Sequence, residues 1–185
     1  AWTLLLALAV ASLGADFAFG QATLVVTYAI AGLGVVIIVG QAGQIVLGQG
    51  AFVALGAYAQ ALLVQAGVAP LPALPIAAAA GALGGALASL PAGRLGGLYF
   101  GMSTLAFALI VEELLVRWES LTHGAAGLVV PAFGLAGWTA GTPAAQAAIS
   151  LAVLLAVLAV CARLLASRLG RAWRAVREDE AAAAA

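Results

Sequence analysis

Residues 22–40 read ATLVVTYAIAGLGVVIIVG, an uncharged run that ends at Gly40 and is followed at once by Gln41-Ala42-Gly43-Gln44. A helix that crosses a bilayer needs about 20 predominantly apolar residues. This run meets that length, and it decides the reading of everything around it. Upstream, residues 2–14 form a second apolar run, separated from the first by a short polar break at 16–21 that contains Asp16 and Gln21. No basic region precedes it and further apolar segments follow directly, so it reads as a spanning helix rather than a secretory leader.

Moving outward, the same rule marks further segments at 50–65, 75–90, 98–118 and 144–165. Pro70, Pro72 and Pro75 punctuate the turn after the first of these. A loop at 91–97 carries Arg94, and a longer stretch at 119–143 carries His123 and Trp138. Only 8% of residues are charged, against roughly 25% in a soluble domain. Between Ala1 and Gly93 the single charged side chain is Asp16, which suits lipid and not water. The expected fold is therefore all-α: a polytopic transmembrane helical bundle of about six membrane segments.

The basic residues are all arginine, and five of the seven lie at or beyond Arg163. Basic residues concentrate in cytoplasmic segments. With six spans, the tail, the Arg94 loop and the N-terminus fall on the cytoplasmic side, and the loops around Asp16, Pro70 and His123 face outward. No basic stripe interleaved with aromatics is present, so nucleic acid is not an expected partner. The single cysteine, Cys161, has no partner within the chain for a disulfide.

Three features carry candidate function. The first is the glycine- and glutamine-rich stretch at 40–52, with Gln44 and Gln49 as candidate contacts of a polar solute. Non-helical backbone is tolerated at membrane depth only where protein or a water-filled cavity satisfies it, and broken helices of this kind build transporter sites. An ordinary hairpin turn in the cytoplasm is the other reading, and the residues leave both open. The second is Glu112, Glu113, Arg117 and Glu119 near the end of the 98–118 segment. Glu113 and Arg117 stand four apart, the spacing of a helical ion pair. An interfacial anchor explains them, and an acidic lining to the mouth of a pathway, with Glu112 in it, is the sharper alternative.

The third feature is the tail, where Leu169, Trp173 and Val176 recur at helical spacing and arginines occupy the other faces. It reads either as a helix held by anionic membrane lipid or as a docking helix for a soluble partner. His123 stands alone, without the three or four ligands a metal needs, and no nucleophile–base arrangement is visible. Neither a metal, a cofactor nor a catalytic residue is expected. The chain contains no lysine, which a phosphate-binding loop of the Walker type requires. Any ATP hydrolysis would belong to another subunit.

Glycine pairs such as Gly81 and Gly85, with Gly93, Gly97 and Gly101 continuing the spacing, read as sites of close helix packing.

Three blocks resemble the LivM-type permease subunits of branched-chain amino acid ABC importers. One runs from Gly43-Gln44-Ile45 to Leu55-Gly56-Ala57-Tyr58. A second comprises Gly97-Leu98-Tyr99-Phe100 and Ser103-Thr104-Leu105-Ala106-Phe107, extended by Trp118-Glu119-Ser120-Leu121-Thr122 and Gly127-Leu128. The third runs from Arg168-Leu169-Gly170-Arg171 to Arg177-Glu178-Asp179-Glu180. Many members carry histidine where Gln49 stands and a basic residue near Glu112.

The resemblance implies a permease subunit of the bacterial inner membrane. It implies pairing with a second permease subunit, docking on ATP-binding subunits and delivery of a small polar substrate by a periplasmic substrate-binding protein. It divides the chain into a transmembrane permease domain at 1–165 and the start of a cytoplasmic coupling segment at 166–185. In that segment Arg168, Gly170, Arg171, Arg174, Arg177, Glu178, Asp179 and Glu180 would face the ATPase. It also implies further helices after the alanine run, so that the chain is an N-terminal portion. A permease for urea or short amides and a non-transporting structural membrane protein are the alternatives.

Overall fold

The computed structural model describes residues 2–92, 97–135 and 138–178. Its helices, in order, are α1 (Trp2–Ile37), α2 (Gln49–Gln65), α3 (Pro70–Ala92), α4 (Leu98–Arg117), the single turn α5 (Glu119–Thr122), α6 (Pro143–Ala166) and α7 (Arg168–Glu178). A π-helical turn, Ile38–Ala42, follows α1, and a two-residue antiparallel ladder of β1 (Gly134–Leu135) and β2 (Trp138–Thr139) lies in the loop before α6. The chain is an all-α, multi-pass membrane bundle. Among the described residues, four helices are long and apolar enough to cross a bilayer: Gly14–Ala42, Pro70–Leu90, Leu98–Arg117 and Pro143–Ala166.

The structure does not confirm a count of six. Runs 2–14 and 22–40, read as two spans, are one helix of 36 residues. The break around Asp16 does not break it, because no proline precedes Pro70 and a glycine within a helix costs only about 1 kcal/mol relative to alanine. The hydroxyls of Thr23 and Thr27 donate to the Phe19 and Thr23 carbonyls one turn back, at 3.0 and 2.8 Å, so neither polar group is left bare toward lipid. The C-terminal end of this helix is the end that meets the tail, through the contact of Arg177 with Gly40.

Helix α3 begins at Pro70 rather than at Pro75. Pro70 and Pro72 occupy its first turn, where backbone N–H groups have no helical acceptor and proline costs nothing there. Helix α2 has 17 residues, about 25 Å at 1.5 Å per residue, and is the shortest of the helices that run through the bundle. It lies antiparallel to α3, with small residues at the contact. A Cβ on Gly81 would meet the Phe52 carbonyl at 3.2 Å, one on Gly84 would meet the Leu55 side chain at 2.4 Å, and Gly56 faces the Ala77 carbonyl. Close backbone approach of this kind replaces the hydrophobic effect as the source of helix association in lipid. The working pair on α3 is thus Gly81 and Gly84, while Gly85 faces open space.

At the far end of the bundle, the Thr122 hydroxyl is buried within reach of the Leu115 and Trp118 carbonyls (2.6 and 2.8 Å) and accepts the Gly124 N–H. These bonds fold the loop after α4 back onto its helix. Gln65 donates to the Val129 carbonyl and ties α2 to the same loop. At the start of α6, Thr142 caps the helix by accepting the Ala145 N–H, with Pro143 in the first helical position.

Candidate functional site

Helix α1 does not continue into α2. It widens into the π-helical turn, reverses at Gly43 in the left-handed region (φ 68°) and runs without regular secondary structure through residues 43–48. Single π-turns in helices recur at functional positions. Residues 43–48 lie against the first turns of α4. Val46 packs with the Phe100 ring, and Ile38 and Phe52 flank them. A Cβ on Gly48 would stand 2.2 Å from the Thr104 carbonyl oxygen, and one on Gly101 would meet Ile45 at 3.3 Å.

One backbone donor of this stretch is met by a buried side chain. The Leu47 N–H donates to Thr104 Oγ1 (3.1 Å), whose hydroxyl in turn donates to the Gly101 carbonyl (2.8 Å). Thr104 is 2% exposed, so the pair is shielded from competing water. Within this stretch Val46 and Gly48 are buried, while Gly43, Ile45 and Leu47 are exposed.

The three side chains read as contacts of a solute do not converge. Gln44 lines a cavity of about 450 Å³ with Phe52, Ser89, Phe100, Thr104 and Trp173. Gln49 lines a second cavity, about 520 Å³, among α1, α2 and α3, with Thr27, Gln60 and Leu74. Its Nε2 donates to the Ala31 carbonyl at 3.2 Å, which pins the start of α2 to the body of α1. Glu112 is exposed beside a third cavity, about 370 Å³, between α2 and α4, near Tyr58. Glu113 and Arg117 do form the expected ion pair, on an exposed face.

The tail folds back onto this region. Ser167 is extended and caps α7, its hydroxyl oxygen accepting the Leu169 N–H. Gly170 lies against the end of α6, where a Cβ would stand 2.3 Å from the Leu165 carbonyl oxygen. Three arginines turn inward to helix-end carbonyls: Arg171 to Ala166 (3.3 Å), Arg174 to Leu165 (3.4 Å) and Arg177 to Gly40. Arg168 is exposed, Glu178 ends α7, and Asp179, Glu180 and Arg94 lie outside the described residues. Trp173 is half-buried and contributes to the lining of the Gln44 cavity, while Leu169 and Val176 stay exposed.

Sequence reasoning did not single out Thr104, Trp173 or Gln60 as site residues. Thr104 lies inside the second resemblance block, and Trp173 is the large aromatic in an arginine-rich segment. Those were the available signals. Gln60 donates to the Pro70 carbonyl at 2.9 Å and leaves its Oε1 buried without a partner.

A family model described as branched-chain amino acid transport system, permease component, matches residues 17–185. The chain belongs to that family. Two curated relatives agree, both named high-affinity branched-chain amino acid transport system permease protein LivM. The one from Escherichia coli K12 is 39% identical, and the one from Salmonella typhimurium LT2 is 38% identical, over 87% of this chain in each case. The chain spans 44% of the length of each. No solved structure matches. The permease match includes both the unwound stretch after α1 and the tail helix that rests on it.

Proposed function

We propose that this chain forms part of the membrane-spanning permease subunit of an ABC importer in the bacterial inner membrane. The importer carries branched-chain amino acids, with ATP hydrolysed by partner subunits. The observation that carries this reading is the family match, which extends from α1 through α7. The chain provides a passage and no chemistry of its own. Its partners are a second permease subunit, two ATP-binding subunits and a periplasmic binding protein that delivers the substrate.

Residues 1–165 form the permease domain, and residues from 166 onward begin the coupling segment. Within α7, Arg171, Arg174 and Arg177 hold the helix in its seat. Arg168, Glu178 and the acidic residues after it present the surface to the ATPase, and Gly170 permits the sharp approach to α6. Gln44 is the polar group of the substrate pathway, in a cavity whose volume falls within the roughly 300–1,000 Å³ of small-molecule sites. The largely apolar lining of Phe52, Phe100 and Trp173 favours a branched aliphatic side chain over urea or a short amide. Gln49 is a packing residue in this scheme, and Glu112 faces the outer mouth.

The test is purification of the tagged intact protein in mild detergent, with mass spectrometry of what accompanies it. A P-loop ATPase is expected, and is expected to disappear when residues 171–180 are deleted. Recovery of no ATPase, where a control importer stays assembled, would overturn the proposal. Competition of uptake by leucine, isoleucine and valine, against urea and acetamide, assigns the substrate class.

A further inference from the structure

The tail helix touches the bundle at one functional feature, the unwound end of α1. The contact has three parts. The Trp173 side chain lines the same cavity as Gln44. The Arg177 guanidinium donates to the Gly40 carbonyl, inside the π-helical turn. The aliphatic stem of Arg177 lies over Gly43, where a Cβ would stand 3.0 Å from Arg177 Cγ. Gly43 is the residue at which the chain reverses, and Gln44 is its neighbour.

We propose that α7 is a gate on this cavity: Trp173 is the plug, and Arg177 is the link that ties the plug's position to the geometry of the unwound segment. The proposal deepens the importer reading, because there α7 is the segment that an ATPase would move.

The physical argument rests on which bonds can give way. Arg177 reaches a carbonyl at a helix end, where no backbone donor competes for it and where the negative end of the helix dipole favours a cation. The bond is exposed at the guanidinium, so water can replace it at small cost. The π-helical turn at residues 38–42 departs from the α-helical hydrogen-bond pattern beneath this contact. At the other end of α7, Ser167 is a single extended residue between two helices, and the bonds from Arg171 and Arg174 to the end of α6 are long and exposed. Helix α7 can therefore pivot about Ser167 as one body. Moving it withdraws the indole from the cavity and releases the Gly40 carbonyl in the same step. Seated, it closes the cavity from the tail side and holds residues 38–44 in their wound-out form.

The test uses the intact permease with its co-purifying subunits in lipid nanodiscs, in a Cys161→Ser background with Gln44→Cys as the reporter. The readout is the rate of modification by a membrane-impermeant maleimide, measured without nucleotide or substrate. Arg177→Ala is expected to raise the rate a few-fold, the factor for losing one exposed charged contact of about 1 kcal/mol or less, and Trp173→Ala, which removes the indole from the cavity lining, is expected to raise it at least as much. Trp173→Phe, which keeps a plug, is expected to label close to the parent rate. Arg177 is exposed, so its alanine variant keeps the test valid even where Trp173→Ala does not fold. Labelling of Arg177→Ala at the parent rate overturns the gate.

The importer reading is judged separately. A faster rate in Arg177→Ala with no ATPase in the preparation keeps the gate and removes the importer. An ATPase present, with a labelling rate indifferent to both residues, keeps the importer and removes the gate.

Discussion

The Arg177 guanidinium donates a hydrogen bond to the Gly40 carbonyl, 137 residues earlier in the chain. The carbonyl belongs to the last turn of α1, which has no following helix to supply a donor. Arg171 and Arg174 treat the end of α6 in the same way. One short amphipathic helix thus closes the C-terminal ends of two membrane helices on one face of the bundle. The arginines concentrated in the tail are also what hold it against this face.

Removing the Arg177 link should loosen α7. Arg177→Ala is expected to speed limited tryptic cleavage after Arg171 and Arg174 by a few-fold, since an exposed charged contact contributes about 1 kcal/mol or less. An unchanged cleavage rate in detergent would show that the bond does not restrain the helix.

Thr104 supplies an acceptor to the irregular backbone that lies against α4. Thr104→Val leaves the Leu47 N–H without that partner and should cost roughly 1–3 kcal/mol, seen as a lower midpoint in thermal unfolding of the purified protein. Thr104→Ser, which restores the oxygen, should recover most of it.

Gly48 is where segment 43–48 comes closest to α4. Gly48→Ala would press a methyl against the Thr104 carbonyl, a backbone group that cannot rotate away, at a cost of about 1–3 kcal/mol or more. Gly50→Ala is the control, because a Cβ there meets open space. A Gly48→Ala protein as stable as its Gly50→Ala counterpart would contradict the packing described.

The two glutamines should separate. Gln49→Ala loses a bond to the Ala31 carbonyl and should lower stability by about 0.5–1.5 kcal/mol while leaving substrate preference alone. Gln44→Ala should alter uptake with little change in the unfolding midpoint. Uptake kinetics and thermal unfolding on the same preparations decide between this outcome and its reverse.

A continuous α1 has a topological consequence. In a Cys161→Ser background, single cysteines in place of Asp16 and Arg168 should react with impermeant reagent from opposite faces of sealed vesicles. The helix between Asp16 and Gly40 spans about 36 Å at 1.5 Å per residue, enough to cross the roughly 30 Å hydrocarbon core. Reaction of both cysteines from one face would mean that α1 is broken near Asp16.

Most of the helices were legible one residue at a time. Segments 50–65, 98–118 and 144–165 correspond to α2, α4 and α6 within a residue or two, because apolar length bounded by glycine, proline or charge is a local property. The errors came from over-reading weak punctuation. Asp16 and Gln21 are polar but compatible with helix, and prolines at a helix start were taken as a turn. The ion pair of Glu113 with Arg117 was legible because four-residue spacing fixes proximity on any helix.

The sequence by itself determined that this chain is a membrane bundle, where its helices run, that the stretch after Gly40 is unusual, and which family it resembles. These follow from composition, run length and short motifs, all of which act over a few neighbouring residues. Only the tertiary structure decided that Gln44, Gln49 and Glu112 face three different cavities, that Thr104 meets one donor of the unwound backbone, and that Trp173 and Arg177 rest on the end of α1. Those contacts join residues 57 to 137 positions apart in the clearest cases. They depend on how helices dock through small residues such as Gly48, Gly81 and Gly101, and side-chain pattern along one helix carries no record of which neighbour it will meet.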